Sequence, residues 1–163
     1  MREFELIDHF FAEGTGRRDD VILGIGDDAA LLRVPPRQRV VTAIATARNV
    51  PREESPESLG RRVLRLSLDR LWDLGATPAW ATLALTMPEA DEDWLARFSA
   101  GLKDLARRFD VCLVGGDTTR GPLTITIVCN GFKVLEKQSE KQGFWGNRRA
   151  RRDPPRFSPI ATR

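Results

Sequence analysis

Two short segments concentrate residues suited to phosphate and divalent-cation chemistry: Gly24-Ile25-Gly26-Asp27-Asp28 and Gly115-Gly116-Asp117-Thr118-Thr119. Each comes directly after an apolar, strand-like run and reads as a glycine-and-aspartate turn. Glycine lets backbone N–H groups approach a phosphate, and carboxylates and hydroxyls at strand ends supply the hard oxygen ligands that Mg²⁺ prefers. Together the two segments suggest a metal-phosphate site, whereas either alone is compatible with an ordinary turn. The sequence contains no GxxxxGK run followed by Ser or Thr, and GIGDDA does not fit GxGxxG, so it offers neither a P-loop nor a dinucleotide fingerprint. A single histidine, His9, leaves no multi-histidine metal site and makes Ser-His-Asp or Cys-His catalysis depend on one ring.

The elements that must hold these segments are set by hydrophobic spacing. Phe4, Leu6, Ile7, Phe10 and Phe11 recur at helical intervals and predict a short helix over residues 3–12, stopped by Gly14 and Gly16. VILGIGDDAALL reads as strand, turn and strand, and VVTAIATA as a further strand. Ser55-Pro56-Glu57 is a helix start, with proline at the first position and an acid at the positive end of the dipole. That helix is expected to reach Leu74, where Gly75 stops it. AWATLALTMP reads as a buried strand closed by Pro88, and a second long helix begins at Asp91 to Asp93. In it Trp94, Phe98, Leu102, Leu105 and Phe109 form one face, expected to pack against a sheet. VCLVGGDTTRG then predicts a strand ending in a glycine turn, and PLTITIVCNGF a last strand. Helices separated by strands indicate one mixed α/β layer domain, and the sequence shows no internal repeat.

Length and composition bound the rest. With 163 residues, 41% hydrophobic and 30% charged, the chain suffices for a single domain with a real core. No apolar run approaches the roughly 20 residues a bilayer span needs, and MREFELIDHFF lacks the order of a signal peptide, so the expectation is a soluble cytoplasmic chain without membrane contact. Cys112 and Cys129 lie in apolar strand contexts and are expected as buried thiols rather than a disulfide. The formal net charge of +3 is unevenly spread: residues 133–163 carry nine Lys or Arg against three acids, leaving 17 bases against 20 acids in residues 1–132. With its arginines and prolines and few apolar residues, this tail reads as disordered, either a solvated terminus or a non-native ending. Its arginine density supports only weak, salt-sensitive contact with nucleic acid.

EFELIDHFF, LGIGDDAALL, the Gly75-Ala76 turn before PAWATLALTMPEADEDWL, and LVGGDTTRGPLTIT resemble, in order and spacing, the N-terminal domain of thiamine-monophosphate kinase. That family lies within the aminoimidazole-ribonucleotide-synthetase-like superfamily, and the resemblance covers about residues 3 to 132. It implies an α/β fold, a small mixed sheet with helices on one face, pairing with a second copy so that the two sheets form a shared barrel. It also implies transfer of the γ-phosphoryl group of ATP onto thiamine monophosphate, with Mg²⁺ ions bridging carboxylates and phosphates. Carried over by position, Asp27, Asp28 and Asp117 correspond to metal ligands, and Gly115, Gly116, Thr118 and Thr42 to nucleotide-binding positions; no catalytic side chain is assigned.

The chain departs from the family pattern at two ligand positions. Thr42 matches the start of a Thr-Thr-Asp element, whose aspartate falls on Ile44, and the family's Asn-Leu-Ser-Asp falls on Ser67-Leu68-Asp69-Arg70. Asp69 is adjacent, but one residue along a helix rotates a side chain by about 100°. The family's second domain is expected to be absent, since the basic tail begins where that domain would start. The expectation is therefore a nucleotide-and-magnesium-binding domain over residues 1–132 with impaired kinase activity, followed by the tail. The alternatives are a non-catalytic binding or dimerisation module on the same fold, or a sibling ATP-dependent enzyme of the superfamily.

Overall fold

Residues 38–47, QRVVTAIATA, alternate in burial as a half-covered strand must: Ala43, Ala45 and Ala47 are buried, whereas Thr42, Ile44 and Thr46 are exposed. This alternation sets the architecture, because the alanine side meets helices and the threonine side stays open. The computed structural model describes residues 10–11, 16–26 and 29–134. The strands are β1 (Val21–Leu23), β2 (Leu31–Leu32), β3 (Gln38–Ala47), β4 (Thr77–Met87), β5 (Cys112–Arg120) and β6 (Thr124–Val134). Helix α1 (Pro56–Asp73) joins β3 to β4, and α2 (Glu92–Arg108) joins β4 to β5. Of the helix expected over residues 3–12, only Phe10 and Phe11 lie among the described residues, and both are buried.

β1 and β2 form a small antiparallel pair, and the remaining strands form a mixed sheet in the order β3-β6-β4-β5. β6 runs antiparallel to β3 and β4, whereas β4 and β5 are parallel, as the intervening helical crossover permits. Thus the fold is the mixed sheet with helices on one face that the resemblance implies. α1 lies over β3 and β6, with α2 beside it and toward β5. The core between helices and sheet includes Leu64, Leu68, Phe98, Leu102, Leu85 and Ile127, each no more than about 1% exposed.

Local chemistry explains the helix boundaries. The Ser55 hydroxyl accepts the amide of Ser58 at 3.2 Å and caps α1, with Pro56 next in line. Asp91 caps α2 in the same way, accepting from the amide of Trp94 at 3.0 Å. Between the helices, a Cβ on Gly60 would lie 2.3 Å from the carbonyl oxygen of Phe98, and one on Gly101 would lie 2.1 Å from that of Glu57. The two backbones therefore touch, an approach that the periodicity of neither helix announces. Glu57 to Arg97, at 2.7 Å, and Asp104 to Arg61, at 3.2 Å, bridge the same interface on its outside.

The β1–β2 pair covers one end of the sheet's open face. There Trp80 and Phe132 meet edge-on at 4.9 Å, with Val114 and Ala79 buried beside them. The Trp80 indole donates to Asp20 at 2.9 Å, and Arg18 binds both Asp20 and Asp110, at 2.8 and 2.7 Å. This clamp ties the strand pair to the turn after α2. Cys112 pairs in register with Trp80 and Cys129 with Ala81, so the two thiols project to opposite sides of the sheet and are not bonded to each other. Cys129 is buried as expected, whereas Cys112 is half-buried. Among the described residues no helix is long and apolar enough to cross a membrane.

Candidate functional site

The Gly-Gly-Asp-Thr-Thr segment is strand rather than turn. β5 runs unbroken from Cys112 to Arg120, and the irregularity its glycines suggested is one residue earlier: Ala81 pairs with Leu113 but Thr82 with Gly115, so Val114 is the extra residue of a bulge. Backbone proximity is the reason glycine stands here. A Cβ on Gly116 would lie 2.1 Å from the carbonyl oxygen of Leu83, whereas one on Gly115 would meet nothing within 4 Å among the described residues. The bulge re-aims the rest of the strand. Asp117 pairs with Ala84 on the open face, Thr118 with Leu85 on the helix side, and the Thr119 and Thr86 hydroxyls bond at 2.8 Å. Among the described residues β5 is an edge strand, and the backbone groups along its outer side have no strand partner there.

The first glycine segment lies beside the second. Ile25 lines a small pocket with Phe11, Leu83 and Gly115 to Thr118. The pocket measures about 10 Å³, room for little more than one water. Gly26 comes next with a φ of 118°, a conformation side-chain-bearing residues rarely adopt, so this segment is a turn as expected. Asp27 and Asp28 lie outside the described residues. Gly115, Gly116, Thr118 and Asp117 are thus gathered at one place, next to the stem of the turn that carries the other two expected carboxylates.

Thr42 is placed elsewhere. It sits on β3, the opposite edge of the sheet, three strand spacings or about 14 Å from β5, and its hydroxyl donates to Asn130 at 2.8 Å. The two departures from the family pattern meet each other at that edge. Ile44 is 54% exposed on the open face, and the Arg70 guanidinium, from the last turn of α1, donates to the Ile44 carbonyl oxygen. Asp69 pairs along the helix with Arg65 at 2.6 Å and does not take the place of the missing ligand. Among the described residues no group of three acidic, His or Cys side chains is close enough to hold a metal ion, and Asp117 is the carboxylate that lines the pocket. Sequence reasoning missed Ile25, the Arg18–Asp20–Trp80 clamp and the partner of Arg70. For none of these does spacing along the chain carry a signal.

The glycine pair on a bulged strand, with Ile25 set against it, directs the comparison with known proteins. Residues 26–132 match the AIR synthase related protein, N-terminal domain. The chain belongs to this family. Its relatives include the thiamine-monophosphate kinase of Escherichia coli strain K12, 43% identical over 151 residues, which cover 88% of this chain and 46% of that protein. The enzyme of the same name from Haemophilus influenzae is 41% identical, over 84% of this chain and 43% of that protein. The chain thus spans less than half the length of these curated relatives. Among solved structures, thiamine-monophosphate kinase from Stenotrophomonas maltophilia K279a superposes with a TM-score of 0.71 at 42% identity, covering 82% of this chain and 43% of that one. Hydrogenase maturation protein HypE in complex with ATP superposes with a TM-score of 0.63 at 26% identity, over 81% of this chain and 40% of that one. The resemblance read from the GIGDDAALL and LVGGDTTRGPL segments is therefore shown, and it places this chain among relatives that are thiamine-monophosphate kinases.

Proposed function

We propose that this chain forms the nucleotide-binding half of a thiamine-monophosphate-kinase-type enzyme, one that uses ATP to phosphorylate thiamine monophosphate, and that its turnover is impaired. The observation that carries the reading is the pocket that brings Ile25 of the GIGDD turn against Gly115 to Thr118, in a chain 43% identical to the E. coli kinase. On this reading phosphate oxygens approach the Gly115-Gly116 backbone from the outer side of the strand and accept from the Thr118 hydroxyl, and Gly115 keeps the approach open. Thr42 remains a nucleotide-contact candidate only from its separate edge. Asp27, Asp28 and Asp117 are the carboxylates proposed to face Mg²⁺. Ile44 and Arg70 offer none, so the donor set is depleted and no step of the transfer is assigned to a metal. The reading takes residues 1–132 as the binding unit, with the basic tail outside it. It includes a cytoplasmic location and a homodimer in which the open sheet faces of two copies turn toward each other to make a shared barrel.

Impairment is a matter of charge. Replacing two carboxylates by isoleucine and arginine changes the site by about three units, and a unit charge about 4 Å away is worth roughly 4 kcal/mol at an effective dielectric of 20. Even a heavily screened remainder near 2.7 kcal/mol is about a hundredfold in rate. The test is a coupled ADP-release assay with thiamine monophosphate on this chain and its Ile44→Asp/Arg70→Asp variant, each joined to the second half of the E. coli relative. Equilibrium binding of a fluorescent ATP analogue is measured alongside. ATP binding with turnover at least about a hundredfold below the double variant is expected; absent binding overturns the nucleotide reading, and robust parental turnover overturns the impairment. A second reading, a non-catalytic binding or dimerisation module, is favoured by one observation: Arg70 is engaged with the Ile44 carbonyl, at the edge opposite Asp117.

A further inference from the structure

The two glycine segments of the candidate site grow out of one ion cluster. Arg18 stands just before β1, whose end leads into Gly24 to Gly26, and Asp110 stands just before β5, which carries Gly115 to Thr118. The Arg18 guanidinium is forked between the two roots. Its Nε and Nη2 donate to the Asp20 carboxylate at 3.0 and 2.8 Å, and its Nη1 donates to the Asp110 carboxylate at 2.7 Å and the Asp110 carbonyl oxygen at 2.8 Å. Asp20 is held in turn by the Trp80 indole, so one end of the bridge is anchored in β4. Beyond it the two arms meet again where Val21 packs against the apolar cluster that includes Val114, and once more where Ile25 lines the pocket with Gly115 to Thr118.

The contacts along the arms are not equivalent. Those of Val21 and Ile25 are apolar and non-directional, so they let one chain slide against the other at little cost. Charge-assisted bonds to a planar fork fix distance and angle together. Asp110, at a φ of 53°, presents both its carbonyl and its carboxylate oxygen to the same guanidinium nitrogen. We propose that Arg18 is a positioning residue for the phosphate site: by holding Asp20 and Asp110 in one guanidinium it sets the register between the Gly24 to Gly26 turn and the Gly115 to Thr118 strand, and nucleotide affinity depends on that register. The inference rests on the nucleotide reading given above. Arg18 acts on the ligand through the backbone of the two arms: where only a fraction of molecules holds the competent register, the apparent Kd rises by the inverse of that fraction.

The experiment is equilibrium binding of a fluorescent ATP analogue to the full 163-residue chain, comparing the parent with Arg18→Lys, Asp110→Gly, the double variant and Arg97→Lys, each checked for folding by circular dichroism. Lysine keeps a charge for Asp20 but has no fork to reach Asp110. Glycine suits the φ of Asp110 and removes a carboxylate that is 73% exposed, so this variant folds and carries the comparison if Arg18→Lys does not. Arg97→Lys breaks another fork, on Glu57 between the helices. Arg18→Lys should bind about tenfold more weakly, with the register held in about one molecule in ten, and Asp110→Gly, which leaves the carbonyl bond, about threefold more weakly. The double variant should bind no more weakly than Arg18→Lys, since both act through one link, and Arg97→Lys should bind as the parent does. Binding unchanged by Arg18→Lys and Asp110→Gly, additive losses in the double variant, or an equal loss in Arg97→Lys would make Arg18 a brace of the fold and overturn the proposal while the nucleotide reading stands. A parent that does not bind the analogue overturns the nucleotide reading and the proposal with it.

Discussion

Adjacent glycines on β5 have opposite surroundings, and substituting each by alanine separates packing from ligand access. At Gly116 the added methyl would lie 2.1 Å from the Leu83 carbonyl oxygen and 3.0 Å from its carbon, both backbone atoms of the neighbouring strand. Neither can rotate away, so β5 must move off β4 by more than an ångström or lose ladder hydrogen bonds around Leu83. Overpacking of this kind costs about 1–3 kcal/mol. At Gly115 the methyl meets nothing within 4 Å among the described residues, and the reduced entropy of the unfolded chain would stabilise the protein by about 0.4–1 kcal/mol. Urea denaturation followed by circular dichroism should show a lower midpoint for Gly116→Ala and an equal or higher one for Gly115→Ala, with a difference of at least about 1.5 kcal/mol between them. Binding of the fluorescent ATP analogue gives the second comparison. Gly115→Ala, stable but with a methyl on the outer side of the proposed phosphate contact, should bind more weakly than the parent. Equal destabilisation by the two substitutions would refute the packing argument, and undiminished ATP binding by Gly115→Ala would remove the reason for assigning that glycine to the nucleotide.

Two titrating groups give further expected outcomes. Hydrogen bonds from Arg18, and then from the Trp80 indole, hold the Asp20 carboxyl below its ordinary range against the opposing effect of burial. A group depressed in the folded state stabilises it above the unfolded pKa near 3.9, and that stability is lost as pH falls through the folded value. Asp20→Asn should therefore melt below the parent at pH 7, by the equivalent of about 1–2 kcal/mol, with the gap closing under acid conditions; an equal gap at pH 7 and pH 2.5 would refute the clamp. Burial pushes the Cys129 thiol up to about 11, leaving about one thiolate in a thousand at pH 8. Mass spectrometry after brief treatment with an aromatic disulfide at that pH should find Cys129 unmodified until the protein is unfolded, and rapid native labelling of Cys129 would contradict its burial.

How much of the molecule was written along the chain depends on whether the signal is local. The caps at Ser55 and Asp91, the apolar stripes of both long helices and the alternation in VVTAIATA are properties of consecutive residues, so the elements and their order could be read directly. The family was legible for the same reason, since GIGDDAALL and LVGGDTTRGPL are contiguous motifs. Gly115 to Thr119 were read as a turn because glycine and aspartate dominate turns. Only the approach of β5 to the Leu83 carbonyl reveals that Gly116 serves a strand. Gly60 and Gly101, 41 positions apart, are likewise unremarkable until the two helix backbones touch. Strand order decided the site: β3 and β5 became opposite edges, which parted Thr42 from Asp117 and set Arg70 against the Ile44 carbonyl. Pairing between strands distant in sequence depends on the summed packing of the whole sheet, and no local run of residues encodes it.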